Sequence, residues 1–309
     1  SSPPVCCTLL HRSDFQECPL QAFEYQAPIS LEQAVARLAA EPERARPMAG
    51  GTDLLTQMRE GRRQVGSVID IKSIPHLSTI AYDAERGLDL GAAASCFAIC
   101  HHPDVVARYP GLVDGLGVIG AVQIQFRATV GGNLCNASPA ADSIPALIVH
   151  GATCTIVGPA GARTVAVEDF CVAPGRTVLQ PGELLVSIQV PPPPPRFGAH
   201  YLRFIPRNEM DIAVVGAAAA VTLSEDGRAF ATARLALGAV GPTPLLLTSA
   251  GDYLPGRPIN DETLRQAARL AQAEARPIDD VRGTADFRRH LSGVLTRRAL
   301  EHALERARA

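Results

Sequence analysis

The chain has 309 residues, of which 47% are hydrophobic and 19% are charged, and its formal net charge at pH 7 is -2. These values describe a globular protein with a sizeable core, and the absence of a basic excess argues against a nucleic-acid binder. The longest nearly apolar stretch, 212–223, is far shorter than the ~20 residues of a membrane-spanning helix. The first residues lack the pattern of a signal peptide, so we expect a cytoplasmic protein.

The N-terminal residues and the cysteines carry no sign of a metal centre. Residues 1–20 contain prolines, serines and three of the eight cysteines, Cys6, Cys7 and Cys18, and we expect them to form a poorly ordered tail. The run Cys96–His102 holds two cysteines and two histidines, but its spacing is not that of a zinc knuckle and no second ligand pair recurs. Free thiols and no metal site are the favoured interpretation.

Capping signals and short apolar runs define the elements of the N-terminal half. Ser30 and Gln33 form a capping-box pattern, which predicts a helix from Leu31 onward. After Gly50-Gly51, either Thr52 or Asp53 is expected to cap a short helix, 54–59. Strands are expected at 65–71, 88–93, 152–157, 163–167 and 184–190.

The middle of the chain contains a glycine pattern that imitates a nucleotide site. A helix is predicted to start at Pro103 and a second one to cover 111–123. Gly115-x-Gly117-x-x-Gly120 matches the dinucleotide fingerprint, but that fingerprint needs a buried strand directly before it, and none is expected here. We interpret these glycines as positions of close helix packing, and we expect alanine at Gly115 to be tolerated.

A run of five prolines, 191–195, divides the chain. It favours an extended spacer between domains over a ligand for a proline-recognising partner. Beyond it, strands are predicted at 201–205, 212–223 and 230–239, followed by helices that begin near 260 and 284. This order predicts an α+β layer of three strands and two helices.

Two glycine-rich loops lie in the first half, and each combines glycines with a hydroxyl and a polar side chain. They are residues 49–53 and 129–133. Such loops can aim backbone N–H groups at an anion, and two of them suit a pyrophosphate held from both sides. Neither loop carries the Gly-Lys-Ser/Thr of a P-loop, so a dinucleotide cofactor is favoured over ATP.

Three segments together resemble one known family: PMAGGTDLLTQMREG, IQFRATVGGNLCNASPAADSIPAL and PRNEMDIAVVGAAAAV. From about Phe23 to the C-terminus, the chain is similar to the FAD-binding medium subunits of molybdenum hydroxylases, such as carbon monoxide and xanthine dehydrogenases. The resemblance implies an α+β fold. A PCMH-like FAD-binding domain of two α+β subdomains, 21–195, would be followed by a C-terminal α+β domain with a three-stranded antiparallel sheet and helices, 196–309.

The resemblance also implies which residues contact the cofactor. The first phosphate loop would comprise Met48, Ala49, Gly50, Gly51, Thr52, Asp53 and Leu54. The second loop would comprise Thr129, Val130, Gly131, Gly132 and Asn133. Asp142 matches an acidic contact, Leu185 an apolar contact and Ile119 a ring-packing position. Arg203 stands where relatives usually have lysine, and the two cations differ in geometry.

The implied function is electron transfer through one noncovalent FAD, with no catalytic acid or base in this chain. A large subunit would hold the molybdopterin cofactor, a small subunit would hold [2Fe-2S] clusters, and the complex would be a dimer of heterotrimers. There are three alternatives: a free-standing FAD-dependent reductase of a related fold, a nicotinamide-dependent dehydrogenase and a scaffold subunit without cofactor. The dehydrogenase is disfavoured because no buried strand is expected before Gly115.

Overall fold

The computed structural model describes residues 21–207 and 210–309. The expected tail at 1–20, with Cys6, Cys7 and Cys18, lies outside the described residues. In the described part of the chain, no helix combines the length and apolarity that crossing a bilayer requires.

The first layer is a three-stranded parallel sheet with two helices. Its elements are β1 Glu24–Gln26, α1 Leu31–Ala40, β2 Ala45–Met48, α2 Leu54–Arg59 and β3 Ser67–Asp70, with strand order β1-β3-β2. The predicted cap of α1 is confirmed, because Ser30 Oγ accepts a hydrogen bond of 3.3 Å from the Gln33 N–H. Asp53 occupies the N-cap position of α2, but its side chain makes no capping hydrogen bond.

A five-stranded antiparallel sheet follows, with strand order β4-β5-β10-β6-β7, and a separate two-stranded ribbon pairs β8 with β9. These strands are β4 Ile80–Asp83, β5 Gly87–Gly91, β6 Thr153–Gly158, β7 Gly161–Ala166, β8 Cys171–Ala173, β9 Arg176–Thr177 and β10 Leu184–Val190. Alternating buried and partly exposed side chains in β6 place one face of this sheet on the main core.

Short helices fill the connection between β5 and β6 and cover this core. They are α3 Cys96–Cys100, α4 Pro103–Arg108, α5 Pro110–Leu116, α6 Val122–Gln125, α7 Val130–Asn136 and α8 Ser143–Val149, while α9 Val167–Phe170 follows β7. The single helix predicted at 111–123 is therefore wrong. The chain leaves the helical path between α5 and α6, where Gly120 has a φ of +58°.

The C-terminal half packs helices on a four-stranded antiparallel sheet. Its elements are β11 Phe197–Phe204, β12 Val215–Leu223, β13 Phe230–Gly238, β14 Leu245–Leu246, α10 Thr248–Tyr253, α11 Asp261–Glu274 and α12 Ala285–Arg308. The α+β class is confirmed, but the sheet has a fourth strand, β14, that the prediction missed. A two-residue strand is too short to show an alternating pattern. The helices predicted to begin near 260 and 284 are confirmed, and the side chains of Asn260 and Thr284 cap them.

Carboxylates of the N-terminal half pair with side-chain nitrogens of the C-terminal half. Asp114 Oδ2 lies 2.8 Å from His200 Nδ1 and 2.5 Å from Arg306 Nη1. Burial alone would raise the pKa of Asp114, but the hydrogen bonds from His200 and Arg306 outweigh it and hold that pKa at about 2. Glu168 and Arg234 form a second link, at 2.6 Å. These pairs fix one half against the other.

Candidate functional site

The first glycine loop leaves a row of backbone donors without protein partners. It runs from Met48, the last residue of β2, to Leu54, the first of α2. Within the described residues, the N–H groups of residues 49–53 donate to no protein acceptor. Gly51 has a φ of +76°, a backbone conformation that side chains with a Cβ rarely adopt. Such a turn of free N–H groups can bind an anion.

Lys72 stabilises the first loop by binding one of its backbone carbonyl groups. Its ammonium donates to the Ala49 carbonyl oxygen at 3.1 Å and to both Asp70 carboxylate oxygens at 2.7 Å. The phenol of Tyr25 donates to Asp70 as well, at 2.6 Å. The lysine therefore holds the loop by its carbonyl side and leaves the N–H side free. Sequence reasoning missed Lys72, because no motif marks it.

The second loop uses its backbone donors within the protein. Thr129 caps α7, and its Oγ1 accepts from the Gly132 N–H at 3.0 Å. The Gly131 N–H donates to the Ala92 carbonyl oxygen at 3.1 Å, and the Val130 N–H donates to the Ala94 carbonyl oxygen at 3.3 Å. The expectation that both loops aim free N–H groups outward is thus wrong for this one. The small residues of this loop let a ligand approach its backbone closely, and Thr129 and Asn133 supply its polar side chains.

Gly50 of the first loop packs against Arg127 and Ala128, the two residues that lead into the second loop. A Cβ at this position would overlap the Arg127 carbonyl oxygen and lie 2.7 Å from the Arg127 carbonyl carbon and 3.1 Å from the Ala128 Cα. A second contact joins the helices that follow, since Gln57 Nε2 donates to Asn136 Oδ1 at 3.2 Å. The loops therefore lie side by side, and a glycine is needed where they meet.

Asp142 sits beside the second loop and is bound from the C-terminal half. Its carboxylate accepts from the Tyr201 hydroxyl and from Arg203 Nη1, each at 2.6 Å. Its neighbour Ser143 donates to Asn133 Oδ1 at 2.6 Å, which ties this cluster to the loop. Burial raises the pKa of Asp142 to about 6, against the opposing effects of Tyr201 and Arg203.

Arg203 retains donors for a ligand. Its side chain is largely buried, and one nitrogen pairs with Asp142. In the described part of the chain, its other nitrogens donate to no protein acceptor. A guanidinium has five N–H donors, so the remaining ones can bind oxygens of a bound molecule. Tyr201 was not predicted. Its phenol lies over Gly216 of β12, which pairs with Arg203, and a Cβ at Gly216 would lie 2.5 Å from the phenol oxygen.

The two apolar site residues, Leu185 and Ile119, are buried in the main core. Leu185 is buried on β10 opposite Ile156, and Ile119 is buried in the turn that follows α5. The Ala92 N–H donates to the Val186 carbonyl oxygen at 2.9 Å, so β10 runs directly behind the loop. Both residues belong to the main core, which also contains Val130 of the second loop.

The imitation fingerprint is not a nucleotide site. Gly115 lies within α5, which follows another short helix and not a strand, as predicted. The expectation that alanine is tolerated there is wrong, because a Cβ would lie 2.9 Å from both the Ala146 Cβ and the Asp142 carbonyl oxygen. Cys96 and Cys100 are free thiols. Across 21–207 and 210–309, no group of three or more potential metal ligands converges.

Three features of the site suit a cofactor that contains phosphate. They are the free N–H groups of 49–53, the close contact at Gly50 and the buried guanidinium of Arg203. The chain belongs to the FAD-binding subunits of molybdopterin dehydrogenases. The family described as "FAD binding domain in molybdopterin dehydrogenase" matches residues 21–193, and the "CO dehydrogenase flavoprotein C-terminal domain" matches 200–303.

Similar proteins cover nearly the whole chain. The carbon monoxide dehydrogenase medium chain of Afipia carboxidovorans is 36% identical over 290 residues, which are 93% of this chain and 98% of the relative. A putative xanthine dehydrogenase FAD-binding subunit of Escherichia coli is 30% identical over 92% of this chain and 96% of its own length. The solved structure of quinoline 2-oxidoreductase from Pseudomonas putida 86 superposes with a TM-score of 0.87 at 31% identity, covering 94% of this chain and all (100%) of that one.

Proposed function

We propose that this chain is the FAD-carrying electron-transfer subunit of a multi-subunit molybdenum hydroxylase. The observation that carries the proposal is the row of free N–H groups in the first loop. This loop packs against Arg127, which leads into the second loop, at Gly50. When bound, FAD supplies a centre that can take up electrons singly and pass them on in pairs. The chain itself binds and orients that centre.

Different groups of the predicted residues have different tasks in this proposal. The N–H groups of 49–53 hold the diphosphate, and Thr129 and Asn133 close the site from the other loop. Arg203 donates to oxygens at the polar part of the cofactor, and Asp142 keeps the guanidinium in place. Leu185 and Ile119 form the apolar support on which rings can pack. No residue of the site is assigned proton transfer.

The remaining chemistry belongs to partner chains. We infer a large subunit with the molybdopterin cofactor and a small subunit with [2Fe-2S] clusters, assembled as a dimer of heterotrimers in the cytoplasm. We also infer two domains, 21–195 and 196–309, separated after the proline run. The similar proteins act on carbon monoxide, xanthine and quinoline, which supports a substrate site outside this kind of chain.

Purification of the native complex tests this function. We expect affinity capture of the chain from its own cells to recover two further chains, together with molybdenum, iron and acid-labile sulfide. The alternative, a free-standing FAD-dependent reductase, predicts a metal-free chain that oxidises its substrate unaided. Recovery of such an isolated and active chain would overturn the proposal.

A further inference from the structure

Lys72 is the only lysine of the chain, and the other 28 of its 29 lysine and arginine residues are arginines. It follows β3, and its ammonium binds the loop that carries the free N–H groups. An ammonium is a compact group with donors in three directions, whereas the donors of a guanidinium lie in one plane. A chain that otherwise uses guanidinium groups therefore has an ammonium at this one position.

Each of the three N–H donors of this ammonium has an acceptor. They are the Ala49 carbonyl oxygen, at 3.1 Å, and the two carboxylate oxygens of Asp70, each at 2.7 Å. The Tyr25 hydroxyl donates to Asp70 Oδ2 at 2.6 Å and so helps to fix the carboxylate. We call Tyr25, Asp70 and Lys72 the lysine cluster. Because the ammonium uses all its donors within the protein, Lys72 has none left for a ligand.

The contact with Lys72 fixes the peptide group that joins Ala49 to Gly50. The described residues contain no cis peptide bond. In a planar trans peptide, the C=O and N–H bonds point in opposite directions. The Gly50 N–H therefore points away from the lysine cluster, and it is one of the donors without a protein acceptor. Half a turn of this peptide would present its carbonyl oxygen to the anion and remove the acceptor of Lys72.

The lysine cluster contributes little net charge to the first loop. The carboxylate of Asp70 offsets the ammonium of Lys72, since the two groups form an ion pair at 2.7 Å. The loop itself contains a further carboxylate, that of Asp53. Attraction by a net positive charge is therefore a poor explanation of what Lys72 does for an anion. Orientation of a backbone donor explains it.

We propose that Lys72 is a positioning residue for the diphosphate of the cofactor and acts through the Ala49–Gly50 peptide. This inference deepens the proposed function and rests on it, because it takes the diphosphate of FAD as the ligand of the first loop. A donor that already points toward its ligand binds without a cost for reorientation. Loss of the ammonium therefore lowers the affinity for FAD and changes the surroundings of its phosphates.

Three variants of the full chain test this role. Lys72→Met removes the ammonium and keeps a side chain of similar length, whereas Lys72→Arg keeps a cation that can pair with Asp70. Arg163→Met is the matched control, because Arg163 also binds a carboxylate, that of Glu183, and a backbone carbonyl, that of Val178. The Arg163 side chain is 38% exposed and that of Lys72 is 31% exposed. Fluorescence titration measures FAD affinity, urea unfolding measures stability, and phosphorus NMR of bound FAD reports on the diphosphate.

We expect Lys72→Met and Lys72→Arg each to raise the Kd for FAD about tenfold or more, because the planar guanidinium cannot replace the contact with Ala49. At saturating FAD, the phosphorus resonances should shift in both variants. Lys72→Arg should retain more of the stability than Lys72→Met, because its pairing with Asp70 remains. Arg163→Met should keep the FAD affinity and the phosphorus resonances of the unmodified protein.

Full FAD affinity in Lys72→Arg would overturn the proposal, because any cation would then suffice at this position. Unchanged phosphorus resonances in both Lys72 variants would also overturn it, as would an equal loss of FAD affinity in Arg163→Met. These results leave the proposed function intact. An unmodified chain that binds no FAD would overturn the proposed function, and this inference with it.

Discussion

Gly50→Ala is expected to weaken FAD binding by about ten- to a hundredfold. The new methyl group would overlap the Arg127 carbonyl oxygen, so the two loops cannot remain in contact without moving apart. Overpacking of a closed site costs about 1–3 kcal/mol, which corresponds to that loss if the strain falls on the loops that hold the cofactor. Fluorescence titration of the FAD-free protein with FAD measures the change.

Gly251→Ala is the control for this substitution. Gly251 lies in helix α10, and a Cβ there would meet only the Ala233 carbonyl oxygen, at an ordinary distance of 3.4 Å. Alanine in a helix is favoured over glycine, so stability and FAD affinity should stay the same or rise slightly. Equal FAD affinity in the two variants would contradict the assigned contact between the loops.

Asp142→Ala is expected to lower both FAD affinity and stability. The substitution leaves Arg203 and the Tyr201 hydroxyl without their acceptor in a buried position, which costs about 3–5 kcal/mol. Because Arg203 loses its fixed position, we expect FAD affinity to fall roughly tenfold or more. Asp104→Ala removes an exposed pair with Arg108 and should change neither quantity measurably. Identical behaviour of the two variants would refute this role of Asp142.

The pH dependence of the unfolding free energy should reveal the raised pKa of Asp142. Its pKa is about 6 in the folded protein and ordinarily 3.8, so protonation favours the folded state. This contribution is complete below pH ~4 and is lost as the pH rises through ~6. Relative to Asp142→Asn, the unmodified protein should therefore lose roughly 3 kcal/mol of unfolding free energy between pH ~4 and ~7. Urea unfolding measures this difference, and parallel pH profiles would contradict the raised pKa.

Local signals in the sequence were sufficient for the features that depend on neighbouring residues. The caps at Ser30, Asn260 and Thr284 each bind an N–H three residues ahead, so a short pattern contains the whole interaction. The glycine loops were found for the same reason. The break before α6 was missed because it depends on the positive φ of Gly120, and spacing alone does not reveal the backbone conformation of a glycine.

Contacts between residues that are distant in the sequence could not be predicted from local patterns. Tyr201 binds Asp142 across 59 positions of the chain, and β11 presents this phenol only because the strand crosses beside α8. Lys72 supports Ala49 across 23 positions. The satisfied N–H groups of the second loop depend on Ala92 and Ala94, which approach it only in the folded protein. These residues decide how the site is held, and they became visible only with the fold.

Release and identification of the chromophore test the central claim most directly. The subunit is purified with its cofactor, its visible spectrum is recorded, and the protein is then denatured by heat or acid and the supernatant is separated by chromatography. We expect one FAD per chain, released without proteolysis because no covalent link holds it. Release of FMN in its place, or a colourless protein that fails to bind added FAD, would contradict the assignment.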